Sequence, residues 1–275
     1  MFAARAGAVV CSGPAAPTPD VCGVKLKPPV ISCTIPSDAQ RERPFYLLQR
    51  AANVFSWQAF IGLQWPASKT ERGQPDPNAR IGAPGPAVWE TWREAKEVFR
   101  HDANQKPLPP LAWNAPSPIP AQCAGGDRVL YRTTKVGDLL SEVGQPTGAT
   151  ATRPLTLKNQ KSELTRYEIR MNYTAYQAIT APQNQWWDGA RQASLGSVTF
   201  PVDSMIVKAA WIPITDGDAP RFRTIDACVC DGAESQSSAC AVRKMGLVGF
   251  HLMSKTPSAP QWFWSTFEQE DNVAG

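Results

Sequence analysis

From residue 161 onward the chain is a succession of short apolar runs with a period of two, and this most restricts what it can fold into. "RYEIRMN", "MIVKAAWIPI", "RFRTIDACVC", "MGLVGFHLM" and "WFWSTFEQ" each alternate sides over strand-like lengths. Turn-forming residues separate them, which predicts a mainly antiparallel, twisted sheet. The first half of the chain has a different period. In "RPFYLLQRAANVFSWQAFIGLQWP", Phe45, Leu48, Ala52, Phe55, Ala59 and Leu63 recur at helical spacing, and Pro66 ends the pattern. "AVWETWREAKEVF" reads as a second helix, with Trp89, Trp92, Val98 and Phe99 near one stripe, and "YTAYQAIT" as a short third. The expected class is α+β, with N-terminal helices packed on the sheet. The 26 prolines and 19 glycines predict long Pro/Gly-rich loops, chiefly over 67–87 and 101–160. Residues 1–43 read as an irregular Cys- and Pro-rich arm, and 44–275 as a single α+β domain.

Seven cysteines stand at 11, 22, 33, 123, 228, 230 and 240. They lack the paired C-x₂-C knuckles of a zinc site, so disulfides are the better reading and an oxidising compartment follows. No run of residues is long and apolar enough to span a membrane. The opening "MFAARAGAVVCSG" is too short for a full signal peptide, so a secreted or periplasmic location is argued from the cysteines. Net charge is +4, with no Lys/Arg run able to track a phosphate backbone, which argues against a nucleic-acid partner.

Polar residues inside apolar strands demand an explanation, because a buried charge needs a partner or a task. Lys208 is the one charged residue of "MIVKAAWIPI". In "RYEIRMN", Tyr167, Ile169 and Met171 share a face, leaving Glu168, Arg170 and Asn172 on the other, where an arginine could hold an anionic group. His251 lies on the face of Leu247, Gly249 and Met253; Gly246 and Gly249 allow close approach by a backbone or ligand. It is the only histidine within a regular element, since His101 falls at a polar helix end, and so is the natural group to titrate near neutrality. Glu268 alternates with the aromatic residues of "WFWSTFEQ", while Glu90 falls between two tryptophans and reads as a helix-surface acid.

The chain has no GxSxG elbow, P-loop, GxGxxG, HExxH or CxxCH, and two histidines cannot build a His-rich metal centre. No cofactor or metal is therefore expected. Three segments, "FSWQAFIGLQWP" with "AVWETW", "FPVDSMIVKAAW" and "GLVGFHLMSKTPSAPQWFWSTFEQEDN", resemble a family of uncharacterised exported bacterial proteins. Some of these are associated with a cytochrome-c-type description, although covalent haem would need the missing CxxCH. The resemblance covers roughly residues 44–272 and implies an exported single module, with no activity to carry over.

Three functions remain open. In the first, an enzyme uses His251 and Glu268 for metal-independent proton transfer, with Lys208 and Arg170 stabilising negative charge on an anionic or ester-type substrate. In the second, the chain binds a saccharide or other small ligand. Tryptophans at 89, 92, 186, 187, 262 and 264 would serve as stacking platforms, with Asn172 and Glu90 as polar partners. In the third, a structural or interaction domain pairs off its own strand-embedded polar groups, with Lys208 bound to Glu268 and His251 to a carbonyl.

Overall fold

The computed structural model describes residues 45–130, 163–231, 239–257 and 259–273; the arm over 1–43, with Cys11, Cys22 and Cys33, lies outside them. The protein is mixed α/β, with a mostly antiparallel sheet and few helices. The first helix, α1, spans Phe45–Leu63. Phe55, Ala59 and Leu63 are buried at the expected spacing, and Pro66, which cannot continue a helix, follows directly. The second expected helix is broken into a 3₁₀ turn at Val88–Thr91, a two-residue strand β1 (Arg93–Glu94) and one turn of helix α2 (Ala95–Val98). Two capping carboxylates explain the break. Glu90 accepts the Ala87 N–H at 2.7 Å, and Glu94 accepts the Lys96 N–H at 2.5 Å, so the backbone restarts rather than continues. Strand pairing then holds the interruption open, with Arg93 opposite Met171 and Glu94 opposite Arg170.

Strands β2 (Arg100–His101) and β3 (Pro107–Leu108) form a separate antiparallel pair. The remaining strands are β4 (Arg128–Leu130), β5 (Arg166–Met171), β6 (Met205–Pro213), β7 (Thr224–Asp231), β8 (Ala239–Thr256) and β9 (Ala259–Glu268). With β1 they make a seven-stranded sheet in the order β1-β5-β6-β8-β7-β4, with β9 pairing β8. Strand β4 runs parallel to β7. In β6 the alternation is clean: Met205, Val207, Ala209 and Trp211 are buried, while Ile206, Lys208, Ala210 and Ile212 are half-buried. Helix α3 occupies Tyr173–Thr180, and a short α4 Gly189–Ala193.

The chain divides into two compact units, Met1–Asn114 with Arg170–Val207 and Leu252–Ser265, and Ala115–Ile169 with Lys208–His251 and Thr266–Gly275. In the first, Trp65, Trp89 and Trp92 are sealed, and Phe55 of α1 meets Phe263 of β9 edge-on at 5.1 Å. In the second, Glu168 is only 2% exposed and accepts both the Arg128 guanidinium and the Trp211 indole N–H at 2.9 Å. Two disulfides, Cys123–Cys228 and Cys230–Cys240, tie the stretch before β4, β7 and β8 together in that unit.

Candidate functional site

The half-buried face of the sheet in the second unit gathers three of the four residues expected to do chemistry. Gly249 and Ala210 fix the register between β8 and β6, because a Cβ on Gly249 would lie 3.3 Å from the Ala210 Cβ. Two residues further along antiparallel strands, the same register sets His251 opposite Lys208. On the other side of β8, the Gln269 N–H donates to the Val248 carbonyl at 3.1 Å, and Phe250 meets Phe267 with ring centroids 6.4 Å apart. That register sets Thr266 opposite His251 and Glu268 opposite Gly249. The Thr266 hydroxyl and His251 Nδ1 are accordingly 2.9 Å apart.

The result is a shallow patch, floored by Ala210 and Gly249 and edged by Lys208, His251, Thr266 and Glu268. The floor residues, His251 and Lys208 are half-buried, and Thr266 and Glu268 are exposed, so solvent reaches all of them. Tyr167 of β5 closes the row. Its ring lies 5.8 Å from the Lys208 ammonium, a cation–π spacing. The phenol is 4% exposed, and its hydroxyl has no hydrogen-bond partner among the described residues. Burial raises its pKa above the ordinary tyrosine value, so the group stays a neutral donor. Thr266 fixes what His251 can do. When the hydroxyl donates to Nδ1, Nε2 carries the ring proton and is a hydrogen-bond donor; when it accepts from Nδ1, the neutral ring has Nε2 as its basic nitrogen and the imidazolium is an acid there.

The fourth residue, Arg170, does not join this face. It is three positions from Tyr167 on β5, and an odd separation puts it on the opposite side of the strand. Its guanidinium donates to the Trp92 carbonyl at 2.7 Å inside the first unit. There it belongs to an arginine cluster with Arg72 and Arg93. Burial first, and the Arg93 charge next, pull the Arg72 guanidinium down to about 10. Glu97 supplies a carboxylate, 3.0 Å from Arg93 and 4.0 Å from Arg72. Trp113, Tyr173 and Tyr176 pack beside it, with Arg72 5.5 Å from the Trp113 ring centroid. Nothing in the sequence marks this cluster, because its members come from a loop, β1 and β5 and meet only in the fold.

The expected ligand-binding residues divide. Trp89 is 0% exposed and Glu90 is 5% exposed and committed to the Ala87 N–H, so neither presents a surface to a ligand, and Glu90 is no helix-surface acid. Asn172 is likewise committed: it caps α3 through the Ala175 N–H, accepts from the Met205 N–H and donates to the Asp203 carbonyl. Trp92 and Trp186 are buried and Trp187 is half-buried. Trp262 is half-buried between Phe200, 5.5 Å away, and the Lys255 ammonium, whereas Trp264 is 62% exposed. Thr266 and Tyr167 were missed as site residues. Thr266 could have been found from its two-residue spacing to Glu268, but Tyr167 reads as an ordinary apolar-face residue until β5 is placed beside β6.

Compared with known protein families, curated proteins and solved structures, the chain matches none.

Proposed function

We propose that this is an exported protein that carries out acid–base chemistry on a small anionic or ester-type substrate at the Lys208–His251–Glu268 face. The observation that carries the reading is the register that sets Lys208 opposite His251 beside the glycine–alanine floor. A cation next to an imidazole is suited to developing negative charge, the cation stabilising it while the imidazole moves the proton. Glu268, across the floor from Lys208, is placed to act as the second proton-transfer group. The buried, neutral Tyr167 phenol, whose hydroxyl has no hydrogen-bond partner among the described residues, is a donor beside the same ammonium. Arg170 is left out of this scheme, and the Lys208 charge takes over its role. The two disulfides support export, as does the resemblance of the three quoted segments to an exported family.

The test is hydrolysis of bis(p-nitrophenyl) phosphate and p-nitrophenyl acetate by the wild type, H251A, K208M and E268Q. H251A is expected to lose about 10²–10⁴-fold of the rate, and K208M to raise KM for the anionic ester more than for the neutral one. Equal rates for wild type and H251A, or no turnover of either ester class by the wild type, would overturn the proposal. A saccharide-binding reading rests on Trp264 alone, whose exposed ring is free to stack on a sugar face. Its check is retention on immobilised polysaccharide that W264A abolishes.

A further inference from the structure

The four cysteines of the second unit do more than staple strands. Cys228 and Cys230 lie two apart on one face of β7, and Cys240 of β8 is directly opposite Cys230. The Sγ atoms of Cys228 and Cys230, each bonded to a different partner, are 3.9 Å apart, close to van der Waals contact. The sulfurs of Cys228, Cys230 and Cys240 all fall within 4.8 Å of one another. Access is graded across the cluster: Cys123, Cys228 and Cys230 are 0% exposed, whereas Cys240 is only partly buried. Arg166, itself 4% exposed, donates to the Cys230 carbonyl at 2.9 Å and so ties the backbone of the central cysteine to β5.

We propose that these two disulfides form an internal thiol–disulfide exchange unit, with Cys240 as the entry sulfur and Cys123 as the exit. The co-reactant is an external monothiol. Its thiolate attacks Cys240 Sγ, forming a mixed disulfide and breaking the Cys230–Cys240 bond, and Cys230 leaves as a thiolate. The Cys230 thiolate then attacks Cys228 Sγ, forming a Cys228–Cys230 bond and breaking Cys123–Cys228, and Cys123 leaves as a thiolate. One thiolate is consumed and one released, with no net oxidation. Two residues along a strand advance roughly 6.6 Å, near the upper limit of Cα separations that a disulfide spans. The Cys228–Cys230 bond is therefore within reach along the strand, and withdrawing the external thiol returns the original pairs by the reverse steps. Exchange needs the thiolate, so below the thiol pKa its rate rises about tenfold per pH unit.

The test uses the folded wild-type protein with glutathione, quenched in acid, alkylated after unfolding and mapped peptide by peptide without reduction. Molecules with glutathione on Cys240 are expected to carry a Cys228–Cys230 bond and an alkylated Cys123. Glutathione on Cys240 with Cys123–Cys228 intact and alkylation only at Cys230 would overturn the proposal, as would no glutathione on Cys240. Trapping gives a second measurement. In folded C123S, the buried Cys228 thiol is expected to displace Cys240, so that a maleimide labels Cys240 stoichiometrically. In C228S, which lacks the inner contact, Cys240 is expected to stay unlabelled. Label on Cys240 in C228S, or its absence in folded C123S, counts against exchange. Should C123S fail to fold, the wild-type glutathione map decides alone.

Discussion

Replacing Glu168 by alanine is expected to be among the most damaging single changes in the protein. Its carboxylate holds the Arg128 guanidinium and the Trp211 indole N–H, each at 2.9 Å, and Arg128 also lies 5.8 Å from the Trp211 ring centroid. Arg128 is 7% exposed and Trp211 0%, so neither can turn to water when the carboxylate goes. Stranding one member of a buried ion pair costs about 3–5 kcal/mol, and a buried indole N–H without its acceptor about 1–3 kcal/mol. The two share one carboxylate and do not simply add, which gives about 3–6 kcal/mol for E168A. E168Q keeps an acceptor for the indole and loses only the charge, so about 2–4 kcal/mol is expected. R128M in the E168A background should restore part of the loss, with a coupling of about 1–3 kcal/mol, because it removes the stranded charge. Urea unfolding followed by tryptophan emission and far-ultraviolet circular dichroism reads the wild type, E168A, E168Q, R128M and the double variant. A cost below about 1 kcal/mol for E168A, or strict additivity in the double variant, would refute the view that this pair is dry and mutually dependent.

Gly246 is packed so closely that an added Cβ would lie 2.9 Å from the Phe222 ring and 3.0 Å from Ile214, so G246A should cost about 1–3 kcal/mol in the same assay. Asp203 sits at φ +71°, and burial raises its pKa above the ordinary aspartate value. The folded state therefore holds that proton longer than the unfolded chain, and its contribution is present in acid and lost as pH rises through the raised pKa. D203N should raise Tm at pH 7 and leave it unchanged near pH 3; a lower Tm at pH 7 would contradict this sign. Burial likewise raises the pKa of Tyr167 and of Tyr176, so folding should weaken as pH climbs above about 10, where an unfolded tyrosine ionises. Y167F should blunt that alkaline loss and, by removing an unpartnered hydroxyl, stabilise the fold at neutral pH by about 1 kcal/mol. If the hydroxyl serves the proposed reaction, Y167F gains stability while losing turnover in the ester assay.

Local side-chain pattern alone is enough to specify several elements. The period of 3.6 in α1, the period of two in β6 and the eight residues of α3 are each written in side chains a few positions apart, so neighbouring residues suffice to reveal them. The presence of disulfides, the face of β6 that carries Lys208 and the face of β8 that carries His251 were legible for the same reason. Tertiary structure decided whatever depends on which strand lies beside which. The stretch "AVWETWREAKEVF" has a helical period, yet pairing of Arg93–Glu94 with β5 and the capping carboxylates outweigh that weak local preference. Parity along β5 separated Arg170 from Lys208, two residues that look equivalent when each strand is read alone. Strand order, with β6 and β9 on either side of β8, brought Lys208, His251, Thr266 and Glu268 onto one face across long stretches of chain. It also set Cys228 against Cys230 with each bonded elsewhere, which spacing could not reveal, since the pairing of cysteines is fixed by where the folded backbone holds them.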